Sequence, residues 1–458
     1  MTTRSDTPVD TPVAPGATTP ASATAPVPTS ASASAATSAG PAPHPGFADA
    51  FRQPKPVWAI AFAATVSFMG IGLVDPILPA ISAELHASPT QAMLLFTSYL
   101  FITAIAMFFT SWIASRLGVR TTLLLGLALI VVFAGLSAAG TSVTEIIGLR
   151  GGWGLGNALF ISTALAAIVG AAAGSSSGAI MLYETALGIG MAVGPLLGGL
   201  LGSWTWRAPF AGTAVLMGLG VIAIATMLER TATRPARTSP WAAVRALRDP
   251  ALRTLAVTAL FYNFAFFALL AYSPFPLDAA ALARGVELGA MGIGWVFFGW
   301  GLGLAITSVI GAPLLTRAFG LVPTLLGTLV GFMAVMLALA ALHTSLPAMI
   351  VLIVLGGLLQ GVMNTALTET VMEATELPRS VASSAYSGVR FLGGAVSAAV
   401  AGPIAAALGA PAPYLVAAVV LVGAVAALLL GRGSLARVTR PHLSAGDEAA
   451  AITAGDEG

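Results

Sequence analysis

The chain contains no cysteine. Disulfides, thiol nucleophiles and cysteine metal sites are therefore excluded. Histidine occurs only at His44, His86, His343 and His442, with none of the close spacing that brings two imidazoles onto one metal. Charge is scarce as well. Asp, Glu, Lys and Arg together make up 8% of the chain, against about 25% in a soluble domain. With a formal net charge of +2 the chain has no basic surplus that would point to nucleic acid. No cluster of nucleophile, acid–base or metal-binding groups suggests an enzyme, and no cofactor is implied. Nothing resembles a repeated pore loop or a filter-like ring of a channel.

What is present is apolar: 57% of the residues are hydrophobic. Residues 1 to about 50 are Ala, Pro, Thr and Ser, too poor in large apolar groups to offset their ordering entropy. They read as a disordered tail without the apolar block of a signal peptide. From Val57 onward twelve apolar spans follow, each near the ~20 residues a bilayer crossing needs. They run about 57–81, 91–113, 121–140, 145–170, 179–202, 206–228, 251–275, 288–312, 322–342, 347–372, 381–408 and 412–430. The pattern predicts an all-α membrane protein. The expected units are a tail at 1–56, a six-helix bundle at 57–228, a central loop at 229–250, a second bundle at 251–430 and a tail at 431–458. A short amphipathic piece near Trp241–Leu247 is expected on the membrane surface.

Basic residues set the orientation. Arg52, Lys55, Arg116, Arg120, the central-loop arginines, Arg317, Arg379, Arg432, Arg437 and Arg440 fall on the side of the N-terminus, while Arg207 and Arg284 fall opposite. Both termini are expected in the cytoplasm. Few lysines beside many Arg, Ala and Gly suggest a GC-rich bacterial genome, hence a bacterial plasma membrane.

The two halves echo each other. Ser115–Gly126 reads against Thr316–Gly327, and Gly154-Leu-Gly-Asn157 against Gly361-Val-Met-Asn364. Tyr183 with Gly194-Pro195 reads against Tyr386 with Gly402-Pro403. These offsets are those of a duplicated six-helix unit, a transporter plan with its site at the repeat interface.

Four stretches carry a resemblance to a known family. Gly190-x-x-x-Gly194-Pro195-x-x-Gly198-Gly199 resembles the fifth-helix signature of drug:proton antiporters in the major facilitator superfamily. Asp75-Pro-Ile-Leu-Pro79 resembles the family's D-x-x-x-P. Ala114, Arg116, Gly118, Arg120 and Leu123 match its loop between helices two and three. Arg150 and Gly154 match its fourth-helix R-x-x-Q-G. The resemblance implies a twelve-helix major facilitator fold of two pseudo-symmetric bundles. It also implies export of a hydrophobic drug-like compound, lipophilic cations among the candidates, in exchange for protons by alternating access. Sugar or metabolite efflux is the alternative within the superfamily, and a non-transporting sensor is the rival outside it. We expect a monomer whose partners are its substrate, protons and lipid. The chain departs from the family at Ser115, where relatives carry an aspartate that faces the start of helix eleven, at Ser111, where they carry glycine, and at Trp153, where they carry glutamine.

A charge inside a bilayer costs roughly 2.5–3.5 kcal/mol on insertion scales, so intramembrane charges face a partner or water. Asp75 reads as the proton carrier, or as a structural ion pair with Arg150, or as a carboxylate near the outer mouth. Arg150 either tunes Asp75 or snorkels to the interface. Glu184 reads as a group that assists proton transfer from the inner side, as one that binds a cationic substrate, or as a vestibule carboxylate paired with a loop arginine. Glu369 and Arg390 read as an ion pair that forms in one conformation and gates the path. Ser115, Arg116, Gly118 and Arg120 form the gate loop. Tyr99, Asn157, Tyr262, Asn263, Phe266, Asn364 and Tyr386 are candidates for lining an apolar, aromatic cavity.

Overall fold

The computed structural model describes residues 53–171, 176–229, 237–375 and 377–435. Of the expected tails at 1–56 and 431–458, residues 1–52 and 436–458 lie outside the described residues, as do 172–175 and Arg230 and Arg234 of the central loop, while residues 55–56 and 431–435 belong to the first and last long helices. The side chains of Asp75, Glu184 and Glu373 also lie outside the description.

Twelve long helices account for most of the described residues. They are α1 (Lys55–Gly72), α2 (Pro89–Leu117), α3 (Val119–Ala139), α4 (Val143–Ala171), α5 (Ser176–Gly202) and α6 (Ala208–Met227). The second half holds α7 (Pro250–Phe267), α8 (Gly289–Ile306), α9 (Leu321–Leu342), α10 (Leu346–Glu373), α11 (Arg379–Leu408) and α12 (Ala412–Leu435). Among the described residues, every long helix but α4 is apolar and long enough to cross a bilayer. At 29 residues α4 reaches about 43 Å, ample for a crossing. Large apolar side chains such as Val215, Val419 and Leu430 point outward into the surroundings, as lipid-facing residues do.

Proline explains where the helices depart from the predicted spans. The first span is not continuous. After α1 the chain turns through Leu73 and Val74 into a 3₁₀ turn at Asp75–Ile77, then re-forms a helix at Leu78–Glu84. Pro76 and Pro79 lack the amide hydrogens an unbroken helix would need. The seventh span widens into a π segment at Ala268–Tyr272, just before Pro274, and continues as a helix over Pro274–Leu282. The eighth does the same at Thr307–Gly311, just before Pro313, and continues over Ala312–Phe319. A π turn gives the proline ring room beside the preceding carbonyls.

Glycine sets how closely the helices pack. Gly190, Gly194 and Gly198 bring α5 against the α1 backbone at Thr65, Met69 and Leu73, in parallel register. On another face of α5, Gly188, Ala192 and Gly199 meet Ala305, Gly301 and Ala290 of α8, antiparallel. A Cβ on Gly194 would sit 2.6 Å from the Met69 carbonyl oxygen, and one on Gly199 2.6 Å from that of Ala290. These two helices therefore close backbone to backbone. A second seam joins α2 to α11, with Thr90 beside Gly402, Phe108 beside Gly388 and Thr110 beside Ser384. Both seams cross from one half to the other, and each runs along most of its helices.

Two loops repeat one backbone device. Between α2 and α3, Gly118 has φ 84° and ψ 156°. Between the helix ending at Phe319 and α9, Gly320 has φ 83° and ψ 165°. A side chain rarely adopts that conformation. The Thr122 hydroxyl donates to the Gly118 carbonyl, and the Thr324 hydroxyl to that of Gly320.

Candidate functional site

A cavity of about 80 Å³ lies between α1, α4, α5, α7, α10 and α11, drawing on both halves. It sits toward the end of the bundle where α4 meets α5 and α10 meets α11. The first half supplies Phe68 and Ile71 from α1, Ile161 and Leu165 from α4, and Tyr183, Leu187 and Met191 from α5. Phe266 and Phe267 of α7 add an apolar wall. The polar groups come mainly from α10 and α11: Asn364, Thr368, Ser383, Tyr386, Ser387 and Arg390. Ser383, Ser387 and Phe391 recur every four residues, with Tyr386 and Arg390 alongside, so one face of α11 forms the polar wall.

Of the sequence-derived candidates, Phe266, Asn364, Tyr386 and Arg390 line this cavity. Tyr262 and Asn263 stand behind it. The Tyr262 hydroxyl lies 3.1 Å from Asn364 Oδ1 and 3.2 Å from the Gln360 carbonyl, which holds the Asn364 amide at the cavity wall. Asn263 Nδ2 donates to the Arg390 carbonyl at 2.8 Å, and its Oδ1 accepts from Arg390 Nε at 3.4 Å. The Arg390 guanidinium also lies 5.9 Å from the Phe391 ring. Glu369 neighbours the lining residue Thr368 on α10 and is exposed. Glu184 sits on α5 beside Tyr183, its side chain outside the described residues.

Tyr99 and Asn157 belong to a different place, inside the first half. Asn157 accepts a 2.6 Å hydrogen bond from Ser67, joining α4 to α1. One turn farther along, Gly70 packs on the Trp153 ring. Asp75 itself opens the 3₁₀ turn rather than lying inside a continuous helix, level with the last turn of α5, where Leu73 packs on Gly198 and Ile77 on Gly202. Arg150 does not snorkel: it is fully buried. Its guanidinium lies 4.5 Å from the ring centres of both Tyr99 and Trp153, and its Nε reaches 3.5 Å toward the Leu95 carbonyl. Trp153 is thus one of two aromatic shelves for the cation.

The stretch Ser115–Arg120, expected from the sequence to form a gate, touches two neighbouring segments. Ser115 Oγ accepts from the Thr238 backbone N–H at 3.3 Å, so the hydroxyl engages the central connection. Arg120 Nη2 donates to the Ala225 carbonyl at 2.5 Å, near the end of α6. Arg116 is exposed in the last turn of α2. The short helix Ala242–Ala246, expected on the membrane surface, packs on α2 and α11, and Trp241 before it meets Phe109 edge to face at 6.2 Å.

Sequence reasoning missed Gln360, which is fully buried on α10 and accepts 2.8 Å from the Trp300 indole N–H. It also missed Thr110 and Ser384, whose hydroxyls meet at 3.0 Å across the α2–α11 seam. Gln360 lies four residues before Asn364, a spacing that signals a shared helix face. The Thr110–Ser384 pair carried no signal, since small hydroxyls are common in membrane helices.

Comparisons with known proteins agree with this architecture. The family model described as Major Facilitator Superfamily matches residues 60–279 and 276–452. The chain is similar to the multidrug efflux protein YfmO of Bacillus subtilis (strain 168), 51% identical over 390 residues, covering 85% of this chain and 96% of that one. In fold it is similar to a bacterial homolog of the human lysosomal transporter Spinster, in an inward-facing and unoccupied conformation. That match has a TM-score of 0.62 at 16% identity and covers 84% of this chain and 98% of the other.

Proposed function

This chain belongs to the Major Facilitator Superfamily, and on that footing we propose that it exports a hydrophobic, drug-like compound in exchange for protons by alternating access. The observation that carries the reading is the cavity between the two halves, aromatic on most walls, with its polar groups gathered on α10 and α11. Such a wall binds an apolar body and reads one polar group on it. The resemblance to a multidrug efflux protein supports the same substrate class.

In this reading the seams α5–α8 and α2–α11 are the surfaces on which the halves rock. Asp75 carries the proton. Arg150, held between Tyr99 and Trp153, tunes it, and Glu184 assists from the inner side. Ser115, Arg116, Gly118 and Arg120 steady the α2–α3 gate. Arg390, held by Asn263 here, exchanges to Glu369 in the other conformation. The protein works as a monomer in a bacterial plasma membrane with both termini in the cytoplasm.

The test is proton movement in everted vesicles that hold a pH gradient, challenged with lipophilic compounds of either charge sign. Compound-triggered proton release in the wild type and not in Asp75→Asn is the expected result. Release in both moves the proton to Glu184 or Glu369. Release in neither removes antiport from the reading.

A further inference from the structure

We propose that the cavity selects lipophilic anions, an aromatic or aliphatic body bearing a carboxylate or sulfonate, and that Arg390 is the group that reads their charge. This rests on the transport reading above and adds the sign of the substrate to it.

Among the described residues that line the cavity, Arg390 is the one charged side chain. The first half contributes apolar groups and the Tyr183 phenol, so no wall facing Arg390 from that side offsets its charge within the described lining. The partner of Arg390 is Asn263, a neutral amide on α7. A neutral clamp orients the guanidinium without cancelling it, whereas a carboxylate would do both. The contact uses Nε, which leaves the two terminal nitrogens of the planar fork for a ligand. Those are the atoms that take a carboxylate or sulfonate in bidentate fashion. Small hydroxyls stand on the same helix face at Ser383 and Ser387, donors for the remaining anion oxygens.

The aromatic walls argue in part the other way. Ring faces attract cations, and Phe68, Tyr183, Phe266 and Phe391 all reach the cavity. That attraction comes from a quadrupole and falls off steeply. The guanidinium carries a whole charge into the same low-dielectric space, where charge–charge terms dominate. The rings then supply apolar area to the body of the ligand, and the charge sign is set by Arg390.

Tetraphenylborate and tetraphenylphosphonium share a shape and differ in sign, so size does not enter the comparison. Their binding to the purified full-length protein in a nonionic detergent is read by equilibrium dialysis, with protein-free micelles as the blank. The expected result is tetraphenylborate bound at least about tenfold more tightly. Arg390→Gln should bring the two affinities within about threefold, and Arg390→Lys should keep the anion ahead. Ser387→Asp sets a carboxylate one turn before Arg390 and should also abolish the preference, which covers the case of an Arg390→Gln chain that does not fold. Equal affinities in the wild type, tighter tetraphenylphosphonium, no binding of either ion, or a preference that survives both substitutions overturns the proposal. Binding is read without flux. Loss of proton exchange alongside an intact anion preference would overturn the antiport reading alone.

Discussion

Thr110 and Ser384, on α2 and α11, place their hydroxyl oxygens 3.0 Å apart across the seam between the two halves, and both residues are buried. The Thr110 hydroxyl already donates to the Met107 carbonyl at 2.8 Å, so its one proton is taken and Ser384 is the donor across the seam. A net contribution of about 1 kcal/mol is usual for such a bond, and stranding its donor costs about 1–3 kcal/mol. Thr110→Val should therefore loosen this end of the bundle more than Thr110→Val with Ser384→Ala. The check is alkylation of Ser383→Cys at the cavity wall. The chain has no cysteine of its own, so one introduced thiol reports without background. Faster labelling in the single variant than in the double is expected. Identical rates in both would mean that the bond does not hold the seam.

The α5 glycines give a contrast between positions. At Gly194 and Gly199 a methyl group would meet backbone atoms of α1 and α8 at 2.6 Å, while at Gly148 on α4 nothing lies within 4 Å. Gly194→Ala and Gly199→Ala should each destabilise by about 1–3 kcal/mol, the usual range for overpacking. Gly148→Ala should be neutral or stabilising by up to about 1 kcal/mol, since alanine favours the helix. Thermal unfolding in one detergent compares the three. A Gly194→Ala chain as stable as wild type would show that the α1–α5 contact is looser than its geometry states.

The Arg150 pocket separates shape from hydrogen bonding. The Tyr99 ring packs beside the guanidinium, but its hydroxyl oxygen is buried with no hydrogen-bond partner among the described residues. Tyr99→Phe keeps the ring face and removes an unsatisfied polar atom, so stability should be unchanged or slightly raised. Trp153→Ala removes a fully buried shelf and should cost about 3–5 kcal/mol. A large loss in Tyr99→Phe, measured by unfolding, would place a partner on that hydroxyl.

Tyr262 should act on binding more than on turnover. Its hydroxyl fixes the Asn364 amide at the cavity wall. Tyr262→Phe keeps the rings packed on Phe266 and Phe332 and frees that amide to turn. Transport in proteoliposomes should show KM raised about threefold to tenfold, the loss of roughly one hydrogen bond, with little change in the maximal rate. A fall in the maximal rate with KM unchanged would assign the pair to the seams between the halves instead.

How much of this the sequence disclosed depends on the range of the physics involved. Apolar length reports bilayer crossing directly, so the twelve helices were legible. The Gly190–Gly199 stretch is legible for the same local reason, because small residues at helical spacing make a smooth face whatever packs on it. The break after Gly72 was half legible: Pro76 and Pro79 stood in the string, yet proline sits inside α5 and α11 without ending either. What could not be read were pairings between helices far apart in the chain. Trp153 looked like a lost polar partner and is instead a surface for Arg150. Arg390 suggested Glu369 by proximity in sequence and rests on Asn263, more than a hundred residues away. Choice of partner is set by helix rotation and register, which no local pattern records.

The glycine turns after α2 and before α9 bear on how the chain came to be. Arg120 hooks the first turn's helix to the end of α6, while the matching place in the second half is Val322, which has no such hook. Some side chains around the two loops differ and others repeat, as Thr122 and Thr324 do, and Gly118 and Gly320 agree within 1° in φ and 9° in ψ. A conformation open only to glycine resists drift, because nearly any replacement adds strain before selection on transport begins. A torsion shared in this way is what a duplicated unit would keep longest. In lineages where side-chain similarity has faded altogether, paired loops of this kind are where a common origin should remain readable.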